Sequence, residues 1–470
     1  MGRLSSSVRS FRDPAGAVVR SGGRILRIVE PAAAEELEAF LQTTTARQAT
    51  EQGKLIRSVR IPSTEVPEAD VSACCYEHER IAFPSYPHEW PAEMLAAAGE
   101  LTLELFRGVL QDGFGLKDAT PYNVLYRGAA PVFVDVLSFE RRDPRDGAWM
   151  SYAQFVRTFL LPLLTHRHFG MEPREIFAQK RDGLEPDFVY RIAGLAKRLS
   201  PDFLSLVTLP KWMSGKATAD VYHPVPLDSA EKAKFIVESL LERSAKQLRS
   251  LSQSSGPEST WSGYLDHKSL YNSAQLAQKE TFVKEALELA HARTVLDVGA
   301  NEGRFSLLAA EQGASVVAID TDPAVVGTIW REAARRGADV LPMVVDLTRP
   351  TPAMGWRNEE CDSFLDRVQA MGRFDMVMML AVIHHMLVTE RVPLAELMGL
   401  VAEISNDFAL IEFVAPADAM FSRIVRGREA LHKDLSASAF ESAAAPHFEK
   451  VRCQRIDGLQ RWLYLLRKRA

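Results

Sequence analysis

Residues 294–306 read Thr-Val-Leu-Asp-Val-Gly-Ala-Asn-Glu-Gly-Arg-Phe-Ser, and this stretch decides the fold of the C-terminal half. A β-branched and apolar run, Thr294–Leu296, meets an acid at Asp297, a glycine-spaced turn and then a helical pattern. A strand–turn–helix corner of this kind seats a nucleotide-like ligand at the first strand of a doubly wound sheet. Gly299 and Gly303 let the backbone turn tightly and approach a ligand with no Cβ in the way. The strict G-x-G-x-x-G spacing of a dinucleotide site is missing, because Asn301 stands between the two glycines. Asp297, at the strand's end, suits a cationic group better than a phosphate.

The acidic D-x-G-x-N-x-G corner therefore points to S-adenosylmethionine rather than to NAD. A second apolar run, Val316–Ile319, ends in Asp320, which is placed to accept hydrogen bonds from ribose hydroxyls. A third, Val340–Val345, ends in Asp346, within reach of an adenine amino group. Thr321 and Leu347, next to these acids, join the cofactor set. Phe374–Leu380 and Ala409–Val414 read as fourth and fifth strands, with helical patterns at Pro323–Arg336 and Leu394–Ile404. Regular alternation of strand and helix is the pattern of an open α/β sheet. Phe448–Cys453 and Arg461–Leu466 supply two more strands, an expected antiparallel edge that makes seven.

From near Trp261 to the C-terminus the chain resembles class I S-adenosylmethionine-dependent methyltransferases. The matching residues are Asp297, Gly299, Asn301 and Gly303, then Asp320, Asp346 and the segment Leu380-Ala381-Val382-Ile383-His384-His385. The resemblance implies a Rossmann-like sheet, S-adenosylmethionine as methyl donor and S-adenosylhomocysteine as product. Leu380 and Ala381 complete the expected cofactor contacts. The segment before the first strand often folds over the cofactor in this family, which makes Trp261, Tyr264, Tyr271 and Lys279 lid and substrate candidates. Their plainer role would be packing against the sheet edge.

A hydroxyl acceptor needs a base, and histidine suits that task at neutral pH. His384 and His385 follow the fourth strand's carboxyl end, the expected rim of the site. Glu412, on the fifth strand, is a second candidate for acceptor contact or base. An N-P-P-Y-like segment and a Pro-Cys nucleophile are both missing after the fourth strand, which argues against adenine-N and cytosine-C5 chemistry. A breaker-rich loop, Pro350–Trp356, is placed to hold Trp356 over a pocket.

With 470 residues the chain has room for two or three domains. Hydrophobic content of 47% and charged content of 25% describe an ordinary globular protein. A net charge of -5 argues against a dedicated nucleic-acid surface. The four cysteines show neither zinc spacing nor a disulfide framework, and no metal site is expected. No apolar run approaches membrane-spanning length, so the cytoplasm is the expected compartment and a small-molecule acceptor the expected partner. The oligomeric state is open. Ser252–Ser259 is polar and rich in breakers, which places a linker at 246–260 between an N-terminal domain, 1–245, and the methyltransferase domain, 261–470.

The N-terminal domain reads as α+β. Its sharpest segment is Gly115–Glu140, where Asn123 stands five residues after Asp118 and Asp135 follows an apolar strand. The segment resembles the catalytic loop and metal-binding strand of protein-kinase and aminoglycoside-kinase phosphotransferases. The resemblance implies a degenerate kinase-like scaffold, since no glycine-rich phosphate loop and no V-A-I-K lysine accompany it. An ATP/Mg-binding module controlling the methyltransferase half is the alternative reading. In an unrelated fold, Asp118, Asn123 and Asp135 would be turn and cap residues. In the segments Leu116–Asn123, Pro131–Glu140, Trp261–Tyr264, Leu296–Gly303, Leu380–Met386 and Ile411–Asp418, and so over its whole length, the chain also resembles bacterial two-part methyltransferases that include rhizobial nodulation methyltransferase-like proteins.

Overall fold

The computed structural model describes residues 12–66, 69–70, 72–214, 226–252, 271–425, 427 and 429–469. The chain divides into two compact units near residues 257 and 258.

In the N-terminal unit, β1 (Gly16–Ser21), β2 (Arg24–Val29), β3 (Ser58–Ile61) and β4 (Cys74–His78) form an antiparallel sheet in the order β1-β2-β4-β3. The Gly22-Gly23 turn, both residues at positive φ, closes the first hairpin. A helix, Pro31–Leu41, follows β2, and Thr43 then caps the next helix by accepting from the Ala46 N–H. Ala92–Gln111 is a buried helix. Four short strands follow as two pairs: β5 (Phe114–Leu116) with β8 (Phe139–Arg141), and β6 (Val124–Arg127) with β7 (Ala130–Phe133). Among the described residues after β8, the regular elements of this unit are helices.

One expected boundary moves. The helix Ala230–Ser252 continues into the segment read as a linker, because Val237, Leu241, Ser244, Leu248 and Leu251 keep a buried stripe at helical spacing. Helical periodicity outweighs the serine-rich composition there, and residues 246–252 belong to the helix. Residues 253–260 lie outside the described residues.

The second unit is built on seven strands: β9 (Thr294–Val298), β10 (Ser315–Asp320), β11 (Val340–Val344), β12 (Phe374–Met379), β13 (Ser405–Val414), β14 (Phe448–Arg455) and β15 (Arg461–Lys468). Their order is β11-β10-β9-β12-β13-β15-β14. The first five are parallel, while β15 runs antiparallel to both β13 and β14. This is the Rossmann-like methyltransferase sheet. Strand order reverses between β9 and β12, and ligands of open α/β sheets bind outside the strand ends at such a switch point. Val295, Leu296, Val377 and Met378 are fully buried, as central parallel strands with both faces covered require. Pro342 lacks an N–H and sits on β11, at the sheet edge, where a missing ladder bond costs least.

Candidate functional site

The carboxyl ends of β9, β10, β11 and β12 open onto one cleft of about 290 Å³. Asp297, Gly299, Asn301, Asp320 and Thr321 line it from the first two strands. Asp346, Leu347, Leu380, Ala381 and His385 line it from the next two, and Tyr271 and Lys279 from before the sheet. The turn after β9 is held by backbone conformation: Gly299 at φ 70°, Asn301 at 49° and Gly303 at 80°. A Cβ on Gly299 would lie 2.7 Å from a Val382 methyl, so side-chain-free backbone is required on geometry and on packing. Ala381 at φ 59° holds the opposite wall in a left-handed conformation that a non-glycine residue seldom adopts.

The acids differ in how they are held. Asp297 is buried at the bottom of the cleft, and its Oδ2 accepts a 2.6 Å hydrogen bond from Ser306. Burial pushes its carboxyl up to about 6, opposed by Ser306 and by the charge of Lys279. Asp320 Oδ2 accepts from the Asn301 N–H at 2.9 Å and Oδ1 from the Asp322 N–H at 3.1 Å. Burial raises this carboxyl too. The Thr321 backbone also acts on it, and the four lone-pair sites of a carboxylate still leave room for a hydroxyl. Asp346 accepts from the Thr348 N–H and hydroxyl and from Arg349; despite half-burial, these hold its carboxyl below the usual range.

Several expected site residues stand elsewhere. Gly303 lies outside the cleft lining; its Cβ position meets Ile329 at 2.9 Å, so the absence of a side chain there serves helix packing and the turn. His384 is buried behind His385, with ring centroids 4.3 Å apart. Neither of its ring nitrogens has a hydrogen-bond partner among the described residues. Burial and the neighbouring His385 and Arg461 hold it neutral. His385 is held below the ordinary histidine range by burial.

Glu412 is fully buried and does not line the cleft. It pairs with Lys279 Nζ at 2.7 Å, accepts from the Tyr271 hydroxyl, and lies 3.6 Å from Arg461. Burial opposes its charge, but Lys279 and Arg461 keep it ionised. Arg461 in turn grips Asp418 with two hydrogen bonds of 2.9 and 3.0 Å. A carboxylate so neutralised is an anchor, not a free base. Trp356 is mostly exposed and off the cleft, and Trp261 and Tyr264 lie outside the described residues.

The sequence reading passed over Ser306, Arg304, Phe305, Met386, Thr389 and Glu390. Ser306 was the findable one: in the first turn of the helix Arg304–Glu311, it directs a hydroxyl at a strand-end acid. Arg461, 43 residues from Asp418, carried no local signal.

In the N-terminal unit, Asn123 Nδ2 donates to Ser138 Oγ at 3.0 Å and Ser138 donates to Asp135 Oδ2 at 2.6 Å. Asn123 also reaches the Asp118 carbonyl at 3.4 Å. Asp135 Oδ1 is paired with Arg27 at 3.0 Å, and Arg27 donates to His78. Among the described residues no group of three His, Cys, Asp or Glu is placed to hold a metal ion, and no helix is long and apolar enough to cross a membrane.

Residues 269–465 match the methyltransferase domain family. The chain is 30% identical over 473 residues to the nodulation protein NoeA of Rhizobium meliloti (strain 1021), covering 97% of this chain and 94% of that protein. Among solved structures, the N-methyltransferase NodS from Bradyrhizobium japonicum WM9 matches 42% of this chain and 99% of its own, at 12% identity and a TM-score of 0.32. The bifunctional kinase-methyltransferase WbdD matches 43% of this chain and 41% of its own, at 16% identity and a TM-score of 0.30. The residues of the cleft fit S-adenosylmethionine: a tight turn with no Cβ at Gly299, a buried acid for a cationic group, and strand-end acids for hydroxyl and amino groups. The chain belongs to the NoeA family and is a class I S-adenosylmethionine-dependent methyltransferase.

Proposed function

We propose that the chain methylates an oxygen or nitrogen of a small molecule, a metabolite or glycan intermediate, with His385 as the base. One observation carries this reading: His385 is the histidine that lines the cofactor cleft, and burial keeps it in the neutral form that accepts a proton at pH 7. Bound S-adenosylmethionine supplies an electrophilic methyl group. Asp297 supplies negative charge beside it, and Asp320 and Asp346 fix the ribose and adenine. His385 takes the proton that the acceptor loses as its oxygen or nitrogen bonds to the methyl carbon. His384 packs against His385 and limits its rotation.

The test is release of S-adenosylhomocysteine with a panel of hydroxyl- and amine-bearing sugars and metabolites. With an accepted substrate, His385→Asn lowers kcat by roughly 10²–10⁴-fold and leaves cofactor affinity unchanged. Equal loss of cofactor affinity would make His385 a binding residue and remove it as the base.

A further inference from the structure

Two opposite charges share one end of the cleft. Asp297 stands at the end of β9, and Lys279 faces the same space from the helix Ser273–Ala290. Lys279 is 4% exposed, which is rare for a lysine that serves only solubility. Its Nζ lies 4.7 Å from the Phe305 ring centre and 5.1 Å from that of Tyr271, and 2.7 Å from Glu412 Oε2. Among the described residues Glu412 is its one ion-pair partner. An ammonium has three N–H donors, so a single carboxylate leaves donor capacity toward the cleft.

The charges near this end nearly balance. Lys279 and Arg461 offset Glu412 and Asp418, and Asp297 remains as the uncompensated anion. S-adenosylmethionine carries a sulfonium, an ammonium and a carboxylate, a net single positive charge. Its cationic groups fit Asp297. Its carboxylate, brought into the same buried space, would be repelled by Asp297 unless a cation met it. At the far end, Asp320 and Asp346 accept from neutral hydroxyl and amino groups, where no cation is needed.

We infer that Lys279 binds the carboxylate at the amino-acid end of the cofactor, and that Glu412 is the positioning residue that holds the ammonium in place. The Tyr271 hydroxyl and Arg461 fix Glu412 in turn. The strand acid that sequence logic offers as a base thus acts through a lysine on another element. This assignment rests on the cofactor and is independent of the acceptor.

The experiment is isothermal titration of the full chain with S-adenosylmethionine and with 5′-methylthioadenosine, which keeps the adenine and ribose and lacks the amino-acid end. In Lys279→Met, affinity for S-adenosylmethionine falls roughly ten- to a hundredfold, as loss of a charged hydrogen bond implies. Affinity for 5′-methylthioadenosine stays within about twofold. Glu412→Gln shows a smaller loss confined to S-adenosylmethionine. Because Lys279→Met strands a buried carboxylate, Lys279→Met combined with Glu412→Gln removes both charges and keeps the test alive if the single variant does not fold. Equal losses for both ligands, or no loss for either, would overturn the assignment. Binding of S-adenosylmethionine by the unaltered chain in the same titration keeps the cofactor standing whichever way Lys279 falls.

Discussion

The chain carries two sets of acids beside strand ends, and their surroundings are opposite. In the C-terminal unit, Asp297, Asp320 and Asp346 face a shared cleft, and their protein partners are largely backbone amides and hydroxyls, which leave lone pairs for a ligand. In the N-terminal unit, Asp135 has one oxygen on Arg27 and the other on Ser138, and Asn123 is spent on the same serine. Residue types and spacing look equally functional in both. The difference is a buried cation: Arg27 is held in the interior against Asp135, where a metal-binding carboxylate would need vacancy, whereas Arg349, the cation on Asp346, is exposed and free to swing away. A constellation is a site only when its charge is left for something else to satisfy.

The sharpest way to break this contrast is to remove one acid from each set. Asp297→Ala and Asp320→Ala are expected to weaken S-adenosylmethionine binding by about a hundredfold or more, since each deletes a charged partner in a dry cleft. Asp135→Ala should leave that affinity within about twofold. Titration calorimetry on the three variants decides it. Unchanged affinity in both C-terminal variants would overturn the arrangement of the cleft.

A pH series sharpens the same contrast. Burial holds the Asp297 carboxyl at about 6, so the ionised form that a cationic ligand needs is lost below that pH. Affinity for S-adenosylmethionine should be flat above pH 7 and fall roughly tenfold per pH unit well below 6. The sign for the ligand-free protein is reversed. A carboxyl raised above its unfolded value contributes stability below about pH 4, and that contribution is lost as pH rises through about 6. Asp297→Asn should remove both slopes, read by calorimetry and by thermal melts.

Ser306→Ala is the intermediate case. It removes the hydroxyl that opposes the upward push on Asp297, so the carboxyl should rise further and the fall in affinity begin at higher pH. The expected loss at pH 7 is about tenfold, from one hydrogen bond to a charged group. An unaltered pH profile would mean that Ser306 serves packing alone.

Local patterns carried the fold of the second unit. Apolar and β-branched runs, three of them ended by acids, marked five parallel strands, and Pro323–Arg336 and Leu394–Ile404 form helices at those bounds. The glycine corner was legible because a turn at positive φ leaves few residue choices. The roles of Glu412 and Gly303 were not, since each depends on what packs across from it: Lys279 and Arg461 in one case, Ile329 in the other. Spacing along one strand does not record a partner on another element. The pairing of Arg27 with Asp135 was not legible either, because the two lie more than a hundred residues apart in the chain.

Arg27→Met is expected to have the smallest effect on methyl-donor binding, and it examines the N-terminal half of the contrast directly. Arg27 is buried, whereas the Asp135 side chain keeps 25% exposure, so water screens part of the charge left behind. The expected loss of stability is about 1–3 kcal/mol by thermal or urea melt, with S-adenosylmethionine affinity unchanged. His78 reports the same event. Burial and the Arg27 charge together hold its imidazole down at about 3, and without the guanidinium it titrates at higher pH, visible by proton NMR. With Asp135 Oδ1 released, magnesium is the ion to add. Magnesium with ATP should bind the unaltered chain no more tightly than it binds a chain carrying Asp135→Ala. Tight binding to the unaltered chain would show that Arg27 yields its place to the metal, and the two sets of acids would then be alike.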